Sequence, residues 1–67
     1  MQNPYRKLLQ RLREEFEETP GLRLTVREAA RFWALDEVTC QLVLTELASQ
    51  GFLARGIDDR FQMFAAA

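Results

Sequence analysis

Apolar side chains recur at helical spacing near the start of the chain. The stripe consists of Tyr5, Leu8, Leu9, Leu12 and Phe16. Its period is that of a helix with one buried face. Asn3 is a good helix N-cap and Pro4 suits the first helical position, while Pro20 and Gly21 oppose continuation of a helix. These signals predict a first helix over about residues 4–19.

A second helix is predicted over about residues 26–34. Thr25, with Glu28 three residues later, forms a capping box that satisfies two backbone N–H groups at the helix start. The buried stripe consists of Val26, Ala29, Ala30 and Trp33. Two adjacent alanines allow another backbone to approach closely, which suits a tight crossing of two helices.

The third helix is predicted to follow after a short turn. Asp36 is a suitable N-cap, and Gly51 is a suitable stop beyond the last turn. The core stripe consists of Cys40, Val43, Leu44 and Leu47. The predicted helix covers about residues 37–50, and Cys40 is interpreted as a small core side chain rather than a reactive thiol.

The remaining segments predict a hairpin over about residues 52–64. Two strand-like segments flank a Gly-Ile-Asp-Asp sequence, whose glycine and aspartates favour a turn. Residues 22–24 alternate between apolar and polar side chains and predict one further short strand. The expected fold is mainly α, with three helices and a two- to three-stranded antiparallel sheet, in a single domain over residues 1–67.

Length and charge limit the kinds of partner that the chain can have. The chain of 67 residues has a formal net charge of −1, so any attraction to nucleic acid must come from a local patch. No apolar run approaches the roughly 20 residues of a membrane span, and the N-terminal residues do not form a secretion signal. We therefore expect a cytoplasmic protein without a membrane contact.

Residues that carry chemistry are scarce. The chain has no histidine and one cysteine, which excludes an internal disulfide and the common Cys/His zinc sites. It also lacks a glycine-rich phosphate loop and any set of nucleophile, base and orienting group. We expect neither enzymatic activity nor a cofactor or metal. A short chain without a covalent staple is expected to gain stability by forming a homodimer.

From Leu22 to Phe64 the chain resembles the winged helix-turn-helix domains of bacterial transcription regulators, and the DNA-binding domains of GntR-type repressors are a close parallel. The small pair Ala29–Ala30, the turn at Leu35–Asp36 and the exit at Gly51–Leu53 carry the resemblance, which covers about two-thirds of the chain. It implies that the third helix enters the DNA major groove and that the hairpin is the wing.

The resemblance also assigns residues to a DNA interface. Amide and hydroxyl side chains hydrogen-bond base edges, and guanidinium groups bind phosphate. The candidate base contacts are Thr39, Gln41 and Thr45. The candidate phosphate contacts are Arg27, Arg31, Arg55 and Arg60. Double-stranded DNA is therefore the first expected partner, although the third helix carries acidic residues and no Lys or Arg.

A protein partner is the alternative. Val38 and Leu42 lie opposite the core stripe of the third helix, and Phe32 lies off the centre of the buried face of the second. These side chains either form an exposed apolar patch or are covered by the first helix. An exposed patch would indicate a winged-helix interaction module that docks a protein or a second copy without binding DNA.

The first helix divides its charges unevenly. Its basic residues are Arg6, Lys7, Arg11 and Arg13, and its acidic residues are Glu14, Glu15, Glu17 and Glu18. This order opposes the helix dipole, which favours acids near the N-terminus and bases near the C-terminus. Either this is a solvated face without a partner, or the helix pairs antiparallel with its copy in the homodimer, so that basic and acidic halves meet.

Overall fold

The computed structural model describes residues 4–64. In this range the chain forms α1 (Pro4–Glu18), α2 (Val26–Phe32) and α3 (Glu37–Ser49), followed by the strands β1 (Leu53–Arg55) and β2 (Phe61–Met63). The expected mainly α class with a small antiparallel hairpin is confirmed. The capping role predicted for Asn3 lies outside the described residues. None of the described helices is long and apolar enough to span a membrane.

The core lies where the three helices meet the hairpin. Its buried apolar residues are Leu12, Phe16, Ala29, Ala30, Trp33, Cys40, Val43, Leu44, Leu47, Leu53 and Phe61. The rings of Phe16 and Trp33 lie 5.8 Å apart between centroids and join α1 to the end of α2. Other residues of the predicted stripes, among them Leu9 and Val26, are half-buried against this core. The core faces predicted for α1, α2 and α3 are therefore confirmed.

α2 and α3 begin at the predicted caps. The hydroxyl of Thr25 accepts a hydrogen bond from the N–H of Glu28 at 3.1 Å, and the Glu28 carboxylate accepts one from the N–H of Thr25 at 3.0 Å. The Asp36 carboxylate accepts the N–H of Thr39 at 2.9 Å. Each helix start is thus stabilised by its N-cap side chain, which accepts the N–H three residues later.

Both helices also end in the same backbone motif. After α2 the N–H of Leu35 donates to the carbonyl of Ala30 at 2.8 Å, and after α3 the N–H of Phe52 donates to the carbonyl of Leu47 at 3.0 Å. These are the long hydrogen bonds of the Schellman motif, which needs a left-handed residue just beyond the C-cap. The motif ends α2 at Phe32, two residues before the predicted boundary.

The left-handed residue is Gly51 after α3, with φ of 83°, but Ala34 after α2, with φ of 56°. Left-handed backbone costs a residue with a Cβ about 1–2 kcal/mol, part of which is offset because glycine loses more entropy on folding. Ala34→Gly should therefore raise the free energy of unfolding by up to about 1 kcal/mol, and Gly51→Ala should lower it similarly. Urea denaturation measures both changes, and a shift of the same sign in the two variants would contradict this account.

The hairpin forms a two-stranded sheet. Leu53 pairs with Met63 and Arg55 with Phe61 in antiparallel register. The further strand predicted over residues 22–24 is reduced to one isolated bridge, in which Leu24 exchanges backbone hydrogen bonds of 3.1 and 2.7 Å with Phe61. Pairing stops there because the next residue, Thr25, is already the cap of α2.

Candidate functional site

The outer face of α3 is the surface that the sequence assigned to a partner. Val38 and Leu42 lie opposite the core residues of this helix and are 70% and 57% exposed. Of the two alternatives that the sequence left open, exposure or cover by the first helix, the structure shows exposure. α1 leaves both side chains exposed, and the Tyr5 hydroxyl donates to the backbone carbonyl of Leu42 at 3.3 Å.

An open groove separates α3 from the hairpin. Gln41 and Thr45, one turn apart on α3, line it together with Thr25 and Arg27 from the start of α2 and Arg55 from β1. Two of the three predicted base contacts thus share a groove with two of the four predicted phosphate contacts. The carboxylates of Glu37, Asp58 and Asp59 line the same groove, so side chains that can bind bases and phosphate are mixed there with acids.

Thr39, the remaining predicted base contact, lies elsewhere. It is half-buried, its backbone N–H is bound by Asp36, and it does not line the groove. A separation of two positions places Thr39 about 200° around the helix from Gln41. The structure therefore separates Thr39 from the other two candidates. The same N–H keeps the pKa of Asp36 below its usual range.

Two of the candidate phosphate contacts are open to an external anion. Arg31 on α2 is exposed and forms no ion pair with any residue in the range 4–64. Arg27 forms a loose pair, with its Nε 3.7 Å from the Glu37 carboxylate, and its side chain is 79% exposed. Because they lie one turn apart on α2, these two guanidinium groups occupy the same side of that helix.

The other two candidate phosphate contacts are engaged within the protein. Arg55 donates to one carboxylate oxygen of Asp59 from Nε at 3.1 Å and from Nη2 at 2.7 Å. Arg60 lies 3.1 Å from the Glu28 carboxylate and 3.5 Å from that of Asp58. A phosphate would have to displace these carboxylates. Arg55 and Arg60 therefore have a structural role that sequence reasoning did not assign to them.

Arg60 is the centre of an ion-pair network. It bridges Glu28, in the capping box of α2, to Asp58 in the hairpin turn, and Asp58 also pairs with Arg23 at 3.0 Å. The pKa of Glu28 is lowered chiefly by the N–H of Thr25 and then by Arg60, and the pKa of Asp58 chiefly by the N–H of Arg60. One part of this network had a signal in the sequence. Asp58 and Arg60 have the spacing of an Asx turn, in which an Asp side chain accepts the N–H two residues later.

Phe32 is the third residue of the predicted apolar patch. Its side chain is 60% exposed at the end of α2, and its ring meets Trp33 edge to face with centroids 5.3 Å apart. Trp33 itself is buried, as predicted for a core anchor. Phe32 and Trp33 therefore form an aromatic pair at the edge of the core, in which Phe32 is exposed and Trp33 is buried.

The described residues offer little other chemistry. Burial raises the pKa of the Cys40 thiol, in keeping with its predicted role in the core. Among residues 4–64 no group of three or more His, Cys, Asp or Glu side chains is placed to hold a metal ion. The chain matches no protein-family model, no curated protein and no solved structure.

Proposed function

We propose that this chain is a small winged helix-turn-helix protein that binds duplex DNA as a homodimer and regulates transcription by occupying its site. α3 is the helix that enters the major groove, and the β1–β2 hairpin is the wing. The proposal is carried by the groove that Gln41 and Thr45 of α3 share with Arg27 of α2, because the Arg27 side chain is 79% exposed and only loosely paired. α3 has 13 residues and is about 20 Å long, and the diameter of an α-helix with its side chains, about 10–12 Å, matches the major-groove width of about 12 Å.

The residues take different roles in such a complex. The Gln41 amide can pair in bidentate fashion with adenine, and Thr45 can hydrogen-bond a base or contact a thymine methyl group. Arg27 and Arg31 contact phosphates from α2, the helix that crosses the DNA backbone in this motif. Arg27 needs only to leave its loose pair with Glu37. Arg60 holds the hairpin against α2 through Glu28, and Arg55 is bound by Asp59 within the hairpin, so neither is assigned to phosphate.

Charge explains why two copies are needed. The chain has a net charge of −1, so no long-range attraction brings it to DNA. If Arg27 and Arg31 are the contacts, a homodimer neutralises about four phosphates, and the logarithm of affinity falls against the logarithm of salt with a slope of about −4. Affinity is then weak at physiological salt and rises steeply as salt is removed.

A duplex titration at several salt concentrations tests the proposal. We expect Arg27→Ala/Arg31→Ala to lower affinity by at least about tenfold at low salt and to flatten the salt dependence, equally for different sequences, because phosphates carry no sequence information. The fold should be kept, since neither side chain is buried. Fluorescence anisotropy of a labelled duplex gives the affinity, and circular dichroism checks the fold.

Arg6→Ala/Arg13→Ala is the matched control, because it removes the same charge from α1 instead of α2. Its affinity should stay close to that of the unchanged protein, apart from the small effect of net charge. Equal losses in the two double variants, or a wild-type affinity that does not respond to salt, would contradict DNA binding through α2 and α3.

One observation favours a second candidate, a protein interaction module. Val38 and Leu42 expose apolar surface one turn apart on α3, and carboxylates neutralise Arg55 and Arg60, two of the four candidate phosphate contacts. An exposed apolar helix face suits an apolar surface on a protein. The two candidates differ in how DNA affinity responds to the charge of residue 42.

A further inference from the structure

We infer that the homodimer forms through α1, which packs antiparallel against α1 of a second copy by the face that carries Lys7, Arg11, Glu14 and Glu18. The inference takes the homodimer of the proposed function as its starting point and assigns its interface. Its test contains no DNA, so its failure and the failure of DNA binding are separate results.

The four side chains form a self-complementary row. They are spaced four, three and four residues apart, which places them on one face of a helix, and all four are exposed. In an antiparallel pair with its twofold axis between positions 12 and 13, Lys7 of one copy faces Glu18 of the other, and Arg11 faces Glu14. Each contact occurs twice. A parallel pair would instead place like charges together, so the order of charges selects the antiparallel arrangement.

Within residues 4–64, the charges of α1 form no ion pairs of their own. Every ion pair in this range joins residues that lie beyond α1. Two pairs of opposite charge lie one turn apart on α1, Arg11 with Glu15 and Arg13 with Glu17. Neither pair forms an ion pair. On the proposed face, Glu14 accepts a hydrogen bond of 3.3 Å from the Gln10 side chain. None of the four charged side chains of that face forms an ion pair within residues 4–64, unlike Arg55 and Arg60 of the hairpin.

The direction of the charges supports an external partner. α1 has no acidic residue in its first turn and no basic residue in its last turn. Because the helix dipole favours the opposite order, this arrangement weakens α1 as an isolated helix. An antiparallel copy compensates, since its acidic end lies beside the basic N-terminal half.

The neighbouring face of α1 is a poorer candidate. It carries Arg6, Gln10, Arg13 and Glu17, which line an open groove against Glu46 and Gln50 near the end of α3. Glu14, at the edge of the proposed face, also borders this groove. In an antiparallel pair only Arg6 and Glu17 would meet as opposite charges. Arg13 is also engaged, because its guanidinium lies 4.7 Å from the centre of the Phe52 ring.

The expected dimer is weak and sensitive to salt. Exposed ion pairs contribute little individually and are screened over about 10 Å at 0.1 M salt. The aliphatic stems of Lys7 and Arg11 add apolar contact, as does the half-buried Leu8, which adjoins Arg11 on the helix surface. Self-association should therefore be measured at high protein concentration and low ionic strength.

A charge exchange tests the interface. In Lys7→Glu/Arg11→Glu the face becomes entirely acidic, and in Glu14→Lys/Glu18→Lys it becomes entirely basic. We expect each variant alone to self-associate at least about tenfold more weakly than the unchanged chain, because attraction becomes repulsion. An equimolar mixture should recover the association, since all four contacts are then between opposite charges.

Sedimentation equilibrium up to about 1 mM chain, at about 20 mM and about 0.5 M salt, gives the dissociation constants. Both variants move charge in the direction that the helix dipole favours, so circular dichroism should show an intact fold. Arg6→Glu/Arg13→Glu makes the same change of charge on the neighbouring face and should still dimerise. A monomeric wild type, a mixture that stays monomeric, or a control that fails as strongly as Lys7→Glu/Arg11→Glu would overturn the inference.

Discussion

Leu44→Ala is expected to lower the free energy of unfolding by about 3–5 kcal/mol, whereas Leu42→Ala, two positions earlier, should change it by less than about 0.5 kcal/mol. Leu44 is fully buried between the helices, and Leu42 is 57% exposed. The first substitution leaves a cavity in the core that the surrounding side chains fill only in part. The second removes side-chain surface that is already largely in water.

The two variants should differ clearly in the fraction of folded protein at equilibrium at 25 °C. A domain of this size has only a few kcal/mol of stability in total, so Leu44→Ala should be largely unfolded in buffer while Leu42→Ala unfolds in urea like the unchanged chain. Circular dichroism against urea measures both. Similar losses in the two variants would mean that the buried and exposed faces of α3 have been assigned wrongly.

Leu42→Lys and Leu42→Glu should shift DNA affinity in opposite directions. Position 42 is on the outer face of α3, so a lysine there adds a cation next to the DNA backbone and a glutamate adds an anion. At low salt we expect the lysine variant to bind duplex at least about tenfold more tightly than the glutamate variant, with a salt dependence that is steeper by about one phosphate per copy.

The same pair of variants separates the two candidate functions. If α3 docks a protein instead, duplex affinity should be equally low for Leu42→Lys, Leu42→Glu and the unchanged chain. A charge at position 42 would then be buried without a partner in the apolar contact, and binding of the protein partner should fall with either substitution. Both variants should keep their thermal stability, because the side chain is exposed on α3.

Much of the candidate site was accessible from the sequence. Gln41, Thr45, Arg27 and Arg55 were all named as candidate contacts, and the structure brings them to one groove. Gln41, Thr45 and Arg27 lie on helices, so the faces they occupy follow from helix periodicity and from the N-caps at which those helices start, whereas Arg55 lies on β1. Thr39 does not line the groove, since its position two residues before Gln41 turns it away.

The sequence by itself determined the elements whose causes are local. Thr25 with Glu28, and Asp36 with the N–H of Thr39, define helix starts through contacts three residues apart. The apolar stripes determined which faces are buried, since a helix has one period and one core side. These interactions lie within one or two turns of the chain and can be identified before the chain is folded.

Only the tertiary structure decided which charges remain available. Arg60 meets Glu28 across 32 positions of the chain, and Arg23 meets Asp58 across 35. No periodicity relates residues so far apart, because their distance depends on how the hairpin packs against α2. Tertiary packing likewise reduced the predicted third strand to the bridge of Leu24 with Phe61. It left Arg27 and Arg31 open while engaging Arg60 with Glu28 of α2, although these arginines look alike in the sequence. Arg55 is engaged locally, by Asp59 four positions later in the hairpin.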